Sequence, residues 1–125
     1  KIRWVTDADI KGNNIYKEGE NLIDIEDLRK INRAENIIIT EHARIRLIER
    51  QITVNDIITC IETGEIIKQY EDDKPFSSCL ILGMSIGNKF IHVVVSTDND
   101  FIYLITAYIP NKEQWEDDLK TRKGR

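Results

Sequence analysis

SCLILGMSIGNKFIHVVVS, Ser78–Ser96, decides how this chain reads. Two apolar runs flank Gly87-Asn88, a pair that tolerates the backbone of a tight hairpin, so the runs are expected as antiparallel neighbours across a two-residue turn. In the second run Phe90, His92 and Val94 alternate with Ile91, Val93 and Val95. Both sets are apolar apart from the histidine, which places the strand centrally in a sheet covered on both faces. His92 is then either a hydrogen-bonded core residue, the commoner outcome, or a residue presented into a cleft.

The strand pattern continues in both directions. EIIKQY precedes it and FIYLITAY follows, with the turn-forming breaks EDDKPFS and TDND between them. FIYLITAY delivers Thr106 and Tyr108 on one shared face at its end. Such hydroxyls suit the lip of a cleft, or Tyr108 closes the core with its OH at the surface. The hairpin register stays open, and a one-residue slip would decide whether His92 shares that face.

Upstream the period is helical. IDIEDLRKINRAEN has Asp24 as a cap and Ile25, Leu28 and Ile31 at helical spacing. IIIT, Ile37 to Thr40, is a short apolar run whose Thr40 caps the helix EHARIRLIER. Thr53 and Asp56 form an acidic capping box for VNDIITCIET, and Gly64 stands in the C′ place that ends a helix. Downstream, Pro110 opens a last helical piece, NKEQWEDDLK, with Trp115 packing it on the sheet. The expected fold is α+β: N-terminal helices packed on a roughly four-stranded antiparallel sheet, with a short C-terminal helix. Residues 1–22 read as an N-terminal extension, 23–119 as a single domain and 120–125 as a basic tail. That tail is either a disordered solubilising end or an added phosphate contact.

Composition bounds the function. The 125 residues are 41% hydrophobic and 32% charged, as in a globular domain able to bury its own core. No run reaches the roughly 18 apolar residues of a membrane span, and no signal pattern opens the chain. Cys60 and Cys79 lie far apart with no CxxC, which leaves a reducing, cytoplasmic setting as the expectation. A formal charge of −4 argues against indiscriminate nucleic-acid binding but leaves a local basic site open.

The chemistry concentrates in ITEHARIRLIER, Ile39–Arg50. At about 100° per residue, His42, Arg46, Glu49 and Arg50 share one arc, while Arg44 turns away. A histidine can move a proton, and an adjacent arginine fork can hold an anionic oxygen. From the helix alone, a solvated face with a local Arg46–Glu49 pair is the commoner outcome. Glu71-Asp72-Asp73 reads as a solvated turn with a poor case for metal, and Cys79 as buried and inert.

Taken together, TEHARIRLIERQIT, GEIIKQYEDDKPFSSCLILG, IHVVV and ITAYIPNKEQW resemble the bacterial domain of unknown function 4258 family over about Ile23–Arg122. That family is similar to RelE/BrnT-type toxins, whose fold packs helices on an antiparallel sheet. The resemblance implies the toxin of a type II toxin–antitoxin pair, a metal-independent endoribonuclease that needs no cofactor and cleaves RNA by attack of the ribose 2′-hydroxyl. The cognate antitoxin would be a small zinc-binding CxxC protein, so any such metal would belong to the partner. The resemblance places catalysis on His42, Arg46, His92 and Tyr108, and substrate binding on Arg50 and Thr106. His42 and His92 would share base and acid duty in undetermined order, and Arg46 with Arg50 would stabilise the phosphorane. The alternative is a non-catalytic module of the same fold that binds a protein or nucleic acid. A small hydrolase using Cys79 ranks last.

Overall fold

The computed structural model describes residues 22–124. The expected extension therefore lies outside the described residues, apart from Leu22, and so does Arg125. The elements in chain order are α1 (Ile25–Lys30), a 3-10 turn (Ala34–Asn36), β1 (Ile37–Ile39), α2 (Glu41–Arg50), α3 (Val54–Thr63), β2 (Glu65–Tyr70), β3 (Ser78–Met84), β4 (Phe90–Thr97) and β5 (Ile102–Tyr108). The strands form one sheet in the order β1-β5-β4-β3-β2.

The α+β class is as expected, but the sheet has five strands rather than four. The additional strand is β1, which pairs in parallel with Ile102–Leu104. Three residues are too few for a period of two to show in a sequence.

The helix ends follow local chemistry. Asp24 caps α1 by accepting from the Glu26 N–H. The helix stops at Ile31, well short of the expected span, because Asn32 leaves the helical path to donate to Ile58 O at 2.9 Å and Glu62 Oε2 at 2.8 Å. Thr40 caps α2, its Oγ1 3.1 Å from the Ala43 nitrogen. Gln51 closes that helix in the left-handed conformation, with φ 59°. The Thr53–Asp56 capping box is fully formed.

Gly64 ends α3 for a different reason from the one expected. Its φ of −100° is open to any residue. Space is what demands glycine, since a Cβ would lie 2.5 Å from the carbonyl oxygens of Cys60 and Leu82. Gly83 is its counterpart on β3, where a Cβ would lie 2.3 Å from Cys60 O. The α3 backbone thus lies directly on the sheet.

Period-two alternation divides the sheet into two faces. Ile81, Ile91, Val93, Val95, Ile102, Leu104 and Ala107 face the helices and join Leu47, Ile57, Cys60 and Ile61 in the main core. Each of the Ile, Leu and Val side chains contributes about 1.5–3 kcal/mol when fully buried. The reverse face carries Leu82, His92 and Tyr108 in one row, Leu80, Val94 and Thr106 in the next, and Ser78, Ser96 and Tyr103 in a third.

The β3–β4 pair is antiparallel as expected, but its loop is longer than two residues. Asn88 N–H bonds Ser85 O at 3.0 Å and Ser85 N–H bonds Lys89 O at 2.8 Å. Asn88 takes the positive φ, 64°, which makes a three-residue loop of a type I turn followed by a left-handed residue.

The expected C-terminal helix is absent among the described residues. Asn111–Trp115 makes a single turn, and the chain then folds back so that Trp115 bridges to Arg122. Asp118 Oδ1 accepts from the Lys120 N–H at 2.9 Å and the Thr121 N–H at 3.0 Å. These local bonds compete with helix hydrogen bonds, and Leu119 adopts φ 59°. The result is a strap across the reverse face, pinned by Lys120 Nζ to Glu65 Oε2 at 2.8 Å. Lys120–Lys123 of the expected tail belong to this folded strap, with Lys123 N–H bonded to Gln114 O at 2.8 Å. Among the described residues no helix is long and apolar enough to cross a membrane.

Candidate functional site

Four of the expected site residues gather at one end of β5. β1 pairs only with residues 102–104, so the outer edge of β5 is uncovered beyond them. Arg50, at the last turn of α2, reaches this edge. Its Nη1 donates to Thr106 Oγ1 at 3.1 Å and to Ala107 O at 2.9 Å. One nitrogen thus holds the guanidinium in place, and the remaining donors of the fork stay available. Arg50 and Arg122 have no carboxylate partner among the described residues, whereas Arg29, Arg33, Arg44 and Arg46 each have one.

Tyr108 pairs with His92 across β5 and β4. The phenol oxygen is 3.3 Å from His92 Nδ1, and His92 Nε2 is 2.7 Å from Leu119 O. A carbonyl only accepts, so Nε2 carries the proton and Nδ1 accepts from the Tyr108 hydroxyl. The imidazole is fully buried. Trp115 meets it edge-on at 4.5 Å between centroids, and the Arg122 guanidinium lies 5.5 Å from the Trp115 ring.

Burial lowers the pKa of His92, with the Leu119 carbonyl opposing. Burial raises that of Tyr108, with the charges of Arg122 and Arg50 acting the other way. Both groups are therefore neutral near pH 7. Arg122 lowers Tyr70 as well as Tyr108, so one guanidinium serves both phenols. Val94 lies between these rows and is half-buried, although its neighbours Val93 and Val95 are fully buried.

His42 and Arg46 stand apart from this cluster. Both are exposed on α2, and Arg46 Nη1 is engaged with Glu49 Oε1 at 3.3 Å. α2 packs on the face of Ile91, Val93 and Val95, whereas His92 points to the reverse face. The expected cleft walled by His42 and Arg46 with His92 opposite is therefore not formed. Alternation along β4 forces this outcome once its odd-numbered residues fill the main core. Arg44 is paired with Glu41, in keeping with its turning away from the stripe.

The cysteines behave as the sequence suggested. Both are fully buried, and burial pushes each thiol up to about 12, which leaves negligible thiolate. Among the described residues no group of three His, Cys, Asp or Glu side chains could hold a metal ion.

Sequence reasoning missed the roles of Arg122, Tyr70 and Ser96. Ser96 was accessible to it, since it continues the His92–Val94 alternation onto the same face. Arg122 was not, because its place depends on the strap turning back at Leu119.

A family model described as a domain of unknown function, DUF4258, matches residues 39–109. The matched span runs from the end of β1 through β5 and contains Arg50, His92, Thr106 and Tyr108. No curated protein and no solved structure gives a match.

Proposed function

The chain belongs to the domain of unknown function 4258 family, and on that premise we propose that it is the toxin of a bacterial toxin–antitoxin pair, a metal-independent endoribonuclease of the RelE/BrnT kind acting in the cytoplasm. The observation that carries this reading is Arg50 anchored on Thr106 and Ala107 beside the Tyr108–His92 pair. A scissile phosphate lies against the free donors of Arg50 and the Thr106 hydroxyl. The ribose 2′-oxygen attacks phosphorus while its proton passes to the Tyr108 oxygen, and the phenol's own proton passes to His92 Nδ1. The Leu119 carbonyl steadies the imidazolium through Nε2–H. Arg50 takes up the extra charge on the phosphorane, which collapses to a 2′,3′-cyclic phosphate as the 5′-oxygen leaves and takes a proton from water. His92 touches no substrate atom and acts through Tyr108.

The antitoxin would be a small zinc-binding CxxC protein. The exposed Ile45 and Ile48 on α2 offer it an apolar strip away from the β5 edge. One observation favours a second reading, a module that binds RNA without cutting it: burial holds both Tyr108 and His92 in their neutral forms.

A labelled single-stranded RNA separates the two. On the first reading the wild type cleaves it, Tyr108→Phe binds without cleaving, and Arg50→Gln binds more weakly and does not cleave. Binding without cleavage by the wild type selects the second reading. A wild type that neither binds nor cleaves removes RNA as the ligand.

A further inference from the structure

On the reverse face, next to Thr106, the 71–77 loop folds over β4 and β5 and encloses a cavity lined by Asp73, Lys74, Phe76, Ser96, Tyr103 and Ile105. Ser96 is 7% exposed, and its hydroxyl has no hydrogen-bond partner among the described residues. It also opens to the cavity: among the described residues, the fully enclosed side-chain polar atom without a partner is Asn32 Oδ1, not Ser96 Oγ. A hydroxyl on a residue this buried, unpaired by protein and open to a cavity, is available to a ligand that enters it.

The rest of the lining narrows the ligand. The Phe76 and Tyr103 rings lie within 8° of parallel, with centroids 6.3 Å apart. The Tyr103 hydroxyl is tied to Asp98 at 2.8 Å, so its ring is held in place as an apolar wall. Asp73 Oδ2 accepts from Ser78 Oγ, which leaves Oδ1 as an acceptor, and Lys74 has no carboxylate partner among the described residues. Ile105 is the unpaired bulge residue of β5, adjacent in the chain to Thr106. The volume, about 200 Å³, falls below the roughly 300 Å³ at which pockets for whole drug-sized ligands begin. It suits a single flat ring system whose attached groups stay outside.

We infer that this cavity binds a guanine base of the RNA whose phosphate lies on Arg50 and Thr106. This rests on the RNA reading above for the phosphate but not for the base. Guanine offers adjacent N–H donors to the Asp73 carboxylate and a carbonyl oxygen to Lys74, and the Ser96 hydroxyl completes its edge. One of its faces lies against this aromatic pair. Adenine and uracil each place a single N–H donor beside an acceptor there, so they make one hydrogen bond fewer to Asp73 than guanine does.

Calorimetric titration of the whole chain with guanosine, adenosine, cytidine and uridine, and with their 3′-monophosphates, tests the inference. Guanosine binds at least about tenfold more tightly than the others. Ser96→Ala weakens guanosine about fivefold, and Asp73→Asn reduces the preference over adenosine. Phe76→Ala weakens all bases about tenfold through lost stacking. Arg33→Gln, on an exposed ion pair far from this face, changes nothing, and thermal melts establish that each variant is folded. Equal binding of the four nucleosides, no binding of any, or an unaffected Ser96→Ala overturns the guanine site. If guanosine binds as expected but the 3′-phosphate adds no affinity and Arg50→Gln is silent, the cavity stands and the phosphate site falls.

Discussion

His92 and Tyr108 face each other across β4 and β5, the phenol oxygen 3.3 Å from Nδ1 and the Leu119 carbonyl 2.7 Å from Nε2. Both imidazole nitrogens are thus used by the fold, one on a strand neighbour and one on the strap. This pairing ties the chemistry of Tyr108 to the seating of residues 110–123. It also gives His92 a defined tautomer, while burial favours the neutral ring.

The neutral state of His92 predicts a pH signature in stability. Its folded pKa lies below the ordinary 6.5, so at pH above 6.5 neither folded nor unfolded chain binds this proton. As pH falls through 6.5 the unfolded chain takes it up first. Stability therefore drops from about pH 6.5 down to the folded pKa, below which both states are protonated and the loss levels off. Thermal unfolding of the wild type against His92→Gln should show this slope in the wild type alone. The window opens at pH 6.5, above the carboxylate range in which Asp56 and Asp98 lose their own contributions.

Trp115 is the strap's main apolar anchor, 7% exposed and against the His92 ring. Trp115→Ala should cost about 3 kcal/mol, the low end for losing a large aromatic, because the site can open to water. The same change readmits solvent to the imidazole, so the His92 pKa measured by NMR should rise toward its ordinary value. An unchanged His92 titration would show that the strap does not seal the ring.

Gly83→Ala should be among the most damaging single changes. The added methyl meets Cys60 O at 2.3 Å and Cys60 Sγ at 2.8 Å. The backbone carbonyl cannot retreat without moving α3, so a loss of about 3 kcal/mol or more is expected in urea unfolding. Combining it with Cys60→Ala should not rescue stability, since the closer clash remains.

Arg50 should matter more for ligand than for fold. Its side chain is exposed, so Arg50→Gln should cost less than about 1 kcal/mol of stability. Against single-stranded RNA the same variant should bind less tightly and show a salt slope reduced by about 0.7 for one lost phosphate contact. An unchanged slope would place the phosphate elsewhere.

Local chemistry fixed much of this molecule in the sequence alone. The caps at Asp24, Thr40 and Thr53, the antiparallel β3–β4 pair, the double burial of β4 and the buried thiols all depend on neighbours a few residues away or on period two. Thr106 and Tyr108 were legible as a shared face on the same ground. Tertiary structure decided the rest. β1 was too short to carry a period, and the Asp118 turn won over a helix whose apolar spacing was plausible. Above all, which face His92 occupies depends on register and on which residues of β4 the helices claim. That choice sets His92 with Tyr108 and the strap, and leaves His42 and Arg46 outside on the other side of the sheet.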